Sequence, residues 1–350
     1  MDSFASQLSR MCAHQGAETT HIRLCALRGS RILHAALPLG NSVPMSFQSR
    51  LGCWLVRRWM KRKPAGEPQL VEFTRKVMQP PAWMIRFHSR AVRIELTGPP
   101  INGEWIFPPN LSQGERLIYY LHGGGYVSGS AKSCRPITAT LSRCLKARIF
   151  ALDYRLAPEH RFPAAFDDAL AGYRWLISTG IDPRLIAVVG DSAGGGLALA
   201  LTMKLRDGGE ALPGSVVCMS PWTDMAGTGR SVIANSERDP MFSADDIERY
   251  ASAYLGAESR QTPLASPLYG EFAGLPPLLT HVGESEVLLD DARNAHDKML
   301  AAGGVSELRI FKGVPHGWQF GTPFVPEARE SLREIAEFIE IRSGGLKRPY

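Results

Sequence analysis

The stretch LIAVVGDSAGGGLALALTMKLRD, Leu185 to Asp207, passes from a continuous apolar run through Gly190-Asp191-Ser192-Ala193-Gly194 into small and apolar residues of helical length. The first part reads as a strand buried on both faces and the last as a closely packed helix, so the serine falls on the turn between them. Gly-x-Ser-x-Gly at such a place has a mechanical sense. The turn is sharp, its glycines leave room for neighbouring backbone, and the serine oxygen is presented at the C-terminal edge of a sheet. In a chain with 34 glycines the pattern alone is weak. The strand before it and the helix after it are the context that gives it weight.

Outward from this point the chain alternates. Before it come the strands RLIYYL and RIFALD with the helices PITATLSRCLK and PAAFDDALAGYRWLIS. After it come SVVCMS, LLTHV and ELRIF, with helices near Asp290 to Ala302 and Pro326 to Ile341. AVRIEL and EWIF read as a further pair of early strands. The expected fold is therefore α/β, a mostly parallel central sheet covered by helices on both faces. The boundaries follow from breaks in the rhythm, with a core at 89–222 and 262–342. An insertion at 223–261 contains SADDIERYASAYLG, in which Ser243 and Asp246 start a helix, Ile247, Tyr250, Ala251, Tyr254 and Leu255 share a face, and Gly256 ends it. An insertion of this kind after a sheet strand is expected to be a helical cap, joined by N-terminal helices at 46–88. There, Leu51, Trp54, Leu55 and Trp59 recur at helical spacing opposite Gln48, Ser49, Arg57, Arg58, Lys61 and Arg62, predicting a helix that lays its apolar face on a partner. Residues 1–45 lack periodicity and read as a loosely ordered extension, with Met45 an alternative start.

LHGGGYVSG, Leu121 to Gly129, places three glycines behind a histidine at the end of a strand. Each glycine costs roughly 0.5–1 kcal/mol relative to alanine, so the run needs a reason. Attack by Ser192 on an ester carbonyl turns the carbonyl oxygen into an anion, and backbone N–H groups aimed at it lower the barrier. The amides of Gly124 and Gly125, with that of Ala193 at the start of the serine's helix, are the candidate donors. His122 shapes its loop. A serine also needs a base, and of nine histidines His316, in GVPHGW after the strand ELRIF, lies on the right sheet edge. A carboxylate that orients this histidine is expected after LLTHV, in GESEVLLDDA. Glu286 is preferred there over Asp290, because Asp290 and Asp291 fall where the next helix begins and serve its N-terminus. The order Ser192, Glu286, His316 is the third of the known triad orders.

The 350 residues carry a net charge of +6, concentrated in one place: Ser46 to Arg93 has eleven Lys or Arg against two Glu. No nucleic-acid motif accompanies that segment, so it reads as a solvated basic face rather than a nucleic-acid or membrane module. Six scattered cysteines without metal spacing read as reduced thiols in a cytoplasmic protein. Neither a membrane span nor a signal-peptide core is apparent, so stable membrane insertion is not expected. No metal or organic cofactor is called for.

The motifs HGGGYVSGS, DYRLAPEHRFPAA, GDSAGG, SPWTD and VPHGW, in this order over Leu117 to Ile341, resemble the hormone-sensitive-lipase family of α/β-hydrolases, the group that includes bacterial family IV esterases. The resemblance implies a serine carboxylesterase with a helical cap that takes esters of short to medium acyl chains. It also implies that Asp153, Arg155, Glu159 and His160 form polar contacts behind the site. Many members have Asp where this chain has Glu286. Tyr126, Trp222, Phe242 and Tyr254 are candidates for the substrate pocket. Bacterial relatives with segments similar to VGESEVLLDDA resemble lactone hydrolases, which makes a cyclic ester the alternative substrate. A ligand-binding protein on the same fold, as in plant gibberellin receptors, is less favoured because His316 is present. The expected partner is a small-molecule ester, and a homodimer is the assembly considered.

Overall fold

The computed structural model describes residues 45–60, 63–64, 66–111 and 116–343. The expectation for 1–45 therefore lies, but for Met45, outside the described residues. Three helices come first, α1 (Phe47–Met60), α2 (Glu67–Val77) and α3 (Ala82–Ser89), followed by the antiparallel pair β1 (Arg93–Thr97) and β2 (Gly103–Phe107). The alternating part runs β3 (Leu117–Leu121), α4 (Arg135–Leu145), β4 (Arg148–Leu152), α5 (Ala164–Ser178), β5 (Ile186–Asp191), α6 (Ala193–Asp207) and β6 (Ser215–Met219). Two helices, α7 (Arg230–Ala234) and α8 (Ala244–Leu255), precede β7 (Leu278–Gly283), α9 (Leu289–Ala301), β8 (Ser306–Phe311) and α10 (Pro326–Arg342).

The eight strands form one sheet in the order β1-β2-β4-β3-β5-β6-β7-β8. From β4 to β8 every pairing is parallel, with Leu121 opposite Gly190 and Gly190 opposite Cys218. β3, β5 and β6 are buried along their whole length, which is why they read as unbroken apolar runs. One core lies between the sheet and α5, α6 and α8; the other packs α4 and α10 against the opposite face. The parallel register brings the C-terminal ends of β3, β5, β6, β7 and β8 to one edge, where the loops with chemistry all begin.

α8 starts as its sequence predicts. The Ser243 hydroxyl accepts the Asp246 N–H and the Asp246 carboxylate accepts the Ser243 N–H, a reciprocal cap. Ile247, Tyr250, Ala251, Tyr254 and Leu255 are buried. α1 departs from expectation. Its polar side is the one held, through Ser46 and Ser49 hydroxyls donating to the Glu327 carboxylate at 2.8 Å each. Leu51, Trp54, Leu55 and Trp59 face outward instead. The chain between α1 and α2 is anchored by Lys63, whose ammonium donates to the Met241 carbonyl at 2.6 Å and to Asp246 at 2.7 Å. The same ammonium lies 4.5 Å from the centre of the Phe242 ring.

Candidate active site

Ser192 follows β5 directly and holds φ 53°, ψ −120°, a strained conformation for a residue with a side chain. Local packing enforces it: a Cβ on Gly190 would run into the Gly194 carbonyl, and one on Gly194 into the Leu121 carbonyl. The turn is locked by the Ser192 N–H donating to the Met219 carbonyl at 2.8 Å and by the Trp222 N–H donating to the Ser192 carbonyl at 3.0 Å. Strain here, of about 1–3 kcal/mol, is thus paid by bonds to the neighbouring strand end.

Behind the serine, Asp191 is buried and its Oδ1 accepts the Tyr120 hydroxyl at 2.6 Å and the Gly123 N–H at 3.0 Å. Burial lifts this carboxyl above its ordinary range, although the bonds it accepts pull the other way. Sequence reading missed Asp191, because the residue between Gly and Ser in such a turn carries no fixed signal. Its effect is to pin the glycine loop. Gly123 spends its N–H on Asp191, and the N–H groups of Gly124 and Gly125, next along, donate to no protein acceptor among the described residues. Gly124 sits at φ 118°, where a side chain would also strike the Ser128 backbone carbonyl. The loop is held from the other side by Arg75 of α2, whose Nε donates to the Val127 carbonyl at 2.8 Å and whose guanidinium pairs with Glu159.

His316 and Glu286 come together, and His316 lines a wide cavity together with Ser192. Glu286 Oε2 lies 2.6 Å from His316 Nδ1, and both side chains are buried. The other oxygen, Oε1, accepts the Gly283 N–H at 2.6 Å and the Ser220 hydroxyl at 2.8 Å. Burial would pull the imidazole's pKa down, but the charge of Glu286 and the hydrogen bond that its carboxylate accepts from the ring, with weaker contributions from Asp239 and Asp191, raise it above the ordinary histidine value. Asp290 turns elsewhere, accepting the Ser231 N–H at 2.9 Å, and Asp291 accepts the Thr223 and Asp224 N–H groups. Those two carboxylates tie α9 to the segment that leads into α7. Asp239, also buried, accepts the N–H groups of Met241, Phe242 and Val287 and so fixes α8's approach next to Glu286. Neither Ser220 nor Asp239 was singled out from sequence; a serine after a strand and an aspartate before a proline look like ordinary turn residues.

His122 stacks on Tyr154 with ring centres 4.0 Å apart and contacts the Gly123 carbonyl through Nδ1 at 2.8 Å. Asp153 accepts the Ala131 N–H, Arg155 pairs with Asp168 and Glu159 with Arg75, while His160 gives its backbone N–H to the Leu156 carbonyl.

Two cavities meet at Ser192. A small one, about 20 Å³, is walled by Thr74, Met78, Gly124, Gly125, Trp222, Phe242, Ile247, Tyr250 and Leu288. A wide one, about 630 Å³, reaches from Gly124, Asp191 and His316 out to α1 and α3. Of the four aromatic candidates, Trp222 and Phe242 line the small cavity. Tyr126 and Tyr254 do not line either one; they stack on each other at 3.9 Å behind it. Ile247 and Tyr250 take their place, about two turns and one turn before Tyr254 on the buried face of α8.

A family of sequences described as alpha/beta hydrolase fold matches residues 118–320. An acetyl-hydrolase from Streptomyces hygroscopicus is 41% identical over 70% of this chain and 81% of its own length. The crystal structure of an esterase from the bacterial hormone-sensitive lipase family superposes with TM-score 0.79 at 37% identity, over 86% of this chain and all of that one. The chain belongs to this family of alpha/beta-hydrolase esterases. An ethyl acetate hydrolase from Pseudomonas putida, 34% identical over 64% of this chain and 72% of its own length, is a further relative. With relatives described as an acetyl-hydrolase, an esterase and an ethyl acetate hydrolase, the cyclic-ester alternative is not favoured. No helix of this esterase among the described residues is long and apolar enough to cross a membrane.

Proposed function

We propose that Ser192, His316 and Glu286 form the catalytic triad of a serine carboxylesterase, with Gly124, Gly125 and Ala193 as its oxyanion donors. The observation that carries this reading is the buried 2.6 Å contact between Glu286 and His316 beside a serine held at positive φ. Ser192 Oγ bonds to the acyl carbon as its proton passes to His316, whose charged form Glu286 stabilises. Collapse of the intermediate breaks the bond to the alcohol oxygen, which leaves with that proton. Water, deprotonated by His316, then attacks the acyl-enzyme and releases the acid. Gly124→Ala keeps the amide but places a Cβ at φ 118° against the Ser128 carbonyl, so the loop must shift and turn that N–H off the oxyanion; kcat/KM is expected to fall about 10²–10³-fold, as for one misplaced donor. Circular dichroism and ester hydrolysis of the variant side by side check this, and near-normal turnover would remove Gly124 from the oxyanion site.

The unequal cavities support an assignment of the two halves of the ester. The alcohol oxygen must lie near His316 to receive its proton, and His316 lines the wide cavity and not the small one. The acyl group then enters the small space beside Gly124 and Gly125, whose roughly 20 Å³ holds about one water-sized group. The preferred substrate is an acetyl or similarly short ester of a large apolar alcohol, which narrows the expected acyl range to its short end. The acetyl-hydrolase and ethyl acetate hydrolase relatives support the short acyl side.

Decyl acetate and methyl undecanoate are isomers that exchange the long chain between the two sides. Decyl acetate is expected to have a kcat/KM at least about tenfold higher, since even one misplaced methylene in a closed pocket costs that much. A preference for methyl undecanoate would reverse the assignment. Hydrolysis of neither ester, with p-nitrophenyl acetate also untouched, would remove the esterase reading itself. The unpaired thiols of Cys53, Cys134, Cys144 and Cys218 support a reducing, cytoplasmic setting.

A further inference from the structure

The basic N-terminal segment has no part in the chemistry above, yet it carries an unusual surface. On α1 the residues Trp54, Phe47, Leu51, Leu55 and Trp59 follow one another around the helix at 3.6 residues per turn, so they make one stripe. That stripe faces water: Phe47 is 74% exposed, Trp59 59% and Trp54 58%. The helix is fastened by its other side, through Ser46 and Ser49 to Glu327 and through Cys53 to the Gly313 carbonyl. A second aromatic group stands on α3 and the turn before α10. Trp83 and Phe87, four residues apart, flank Phe324 at ring-centre distances of 6.1 and 5.9 Å, and all three are exposed. Single exposed apolar side chains are ordinary on a protein surface, but contiguous aromatic groups mark a docking face.

Both groups border the mouth of the wide cavity, which Leu55 and Trp59 line from α1, Pro81 from just before α3 and Met84 from α3 itself. Exposed arginines are set among them: Arg50, Arg57 and Arg58 on α1, Arg86 on α3 and Arg90 just after it. Arg58 lies 6.0 Å from the Trp54 ring centre, so its charge stays at the level of the aromatic rings, while Arg57 donates to the Glu237 and Arg238 carbonyls. Tryptophan and arginine on one face, with no carboxylate on α1 at all, have the chemistry of a helix lying in a lipid headgroup layer.

We propose that the α1–α3 face seats the protein on an anionic lipid surface, with the mouth of the wide cavity turned toward the lipid. The occupant is a bilayer surface rather than a second copy of the chain because α1 and α3, which carry the exposed aromatic groups, hold arginines and no carboxylate. Two such faces brought together by a twofold axis would juxtapose arginines without countercharge, whereas anionic headgroups neutralise them. The association is peripheral, since none of the described helices spans a membrane. It is independent of the esterase mechanism. It also gives the wide cavity's position a purpose, because apolar alcohol groups of membrane-dissolved esters would enter without crossing water.

The test is co-sedimentation of the full chain with phosphatidylcholine vesicles and with vesicles containing roughly one third phosphatidylglycerol, at about 0.05 M and about 0.5 M salt. The expected result is at least about tenfold stronger binding to the anionic vesicles, weakened at high salt. A double variant, Trp54→Ser with Trp83→Ser, is expected to bind at least about tenfold more weakly while hydrolysing p-nitrophenyl acetate like the parent, which shows it folded. Absence of vesicle binding, equal binding to both vesicle types, or full binding by the double variant would each overturn the proposal. So would a concentration-dependent dimer in sedimentation velocity that the double variant splits, since the second copy would then be the occupant.

Discussion

Ser192→Ala is expected to reduce ester turnover by about 10⁴–10⁶-fold and to end covalent labelling by a fluorophosphonate, with little change in stability. The magnitude follows from the role assigned to the oxygen, because no acyl-enzyme forms without it, and what remains is the effect of the oxyanion donors and of binding. The stability expectation has a separate basis. The Ser192 side chain makes no capping bond to α6, and the bonds that lock the turn use its backbone. Alanine at φ 53° bears the same kind of strain that serine does, so the difference between the two is small. Intact-protein mass spectrometry after labelling, with kinetics on p-nitrophenyl acetate, reads both quantities. A variant that keeps a tenth of the parent's rate would place the nucleophile elsewhere, because no uncatalysed route through the same pocket is that fast.

Much of this site was legible because its requirements are local. A strand, a glycine-flanked serine and a helix of small residues leave few ways to fold, and the close approach of Gly194 to the Leu121 carbonyl is the reason the glycine is there. The Ser243–Asp246 cap is likewise a property of four consecutive residues. What the sequence concealed is non-local. The periodicity of α1 predicts an inward apolar face, but the side that docks is decided by Glu327, some 280 residues away, which holds Ser46 and Ser49. On α8, burial of Ile247, Tyr250 and Tyr254 was readable from spacing, whereas which of them reach the cavity depends on how the helix rolls against α2, where Thr74 meets the Tyr250 hydroxyl at 2.6 Å. Asp191 and Asp239 escaped for another reason. A carboxylate that accepts backbone N–H bonds inside the protein looks in sequence like any surface acid, and only its partners distinguish it.

Glu286→Gln tests the electrostatics that sequence could not supply. Glutamine keeps the length of the side chain and removes its charge, so kcat is expected to fall by about 10²–10⁴-fold, chiefly through loss of the charged imidazole's stabilisation and of its tautomer. The pH profile carries the sharper signature. His316 acts as base only when neutral, so activity rises with pH through its pKa, and in the parent that limb lies above the ordinary histidine value because Glu286, Asp239 and Asp191 together outweigh burial. With the charge gone, burial is opposed only by the more weakly acting Asp239 and Asp191, and the limb is expected to move to lower pH, even as the plateau drops. Folding stability should follow the same sign. A raised folded-state pKa stabilises the parent fully below about pH 6.5, the unfolded value, and that contribution is lost as pH rises through the folded-state value. The variant should therefore lose more stability in mild acid than at alkaline pH, measured by urea unfolding across that window. A plateau that falls with the limb unmoved would mean that Glu286 positions His316 without setting its charge, and that Asp239 and Asp191 hold the imidazole's pKa instead.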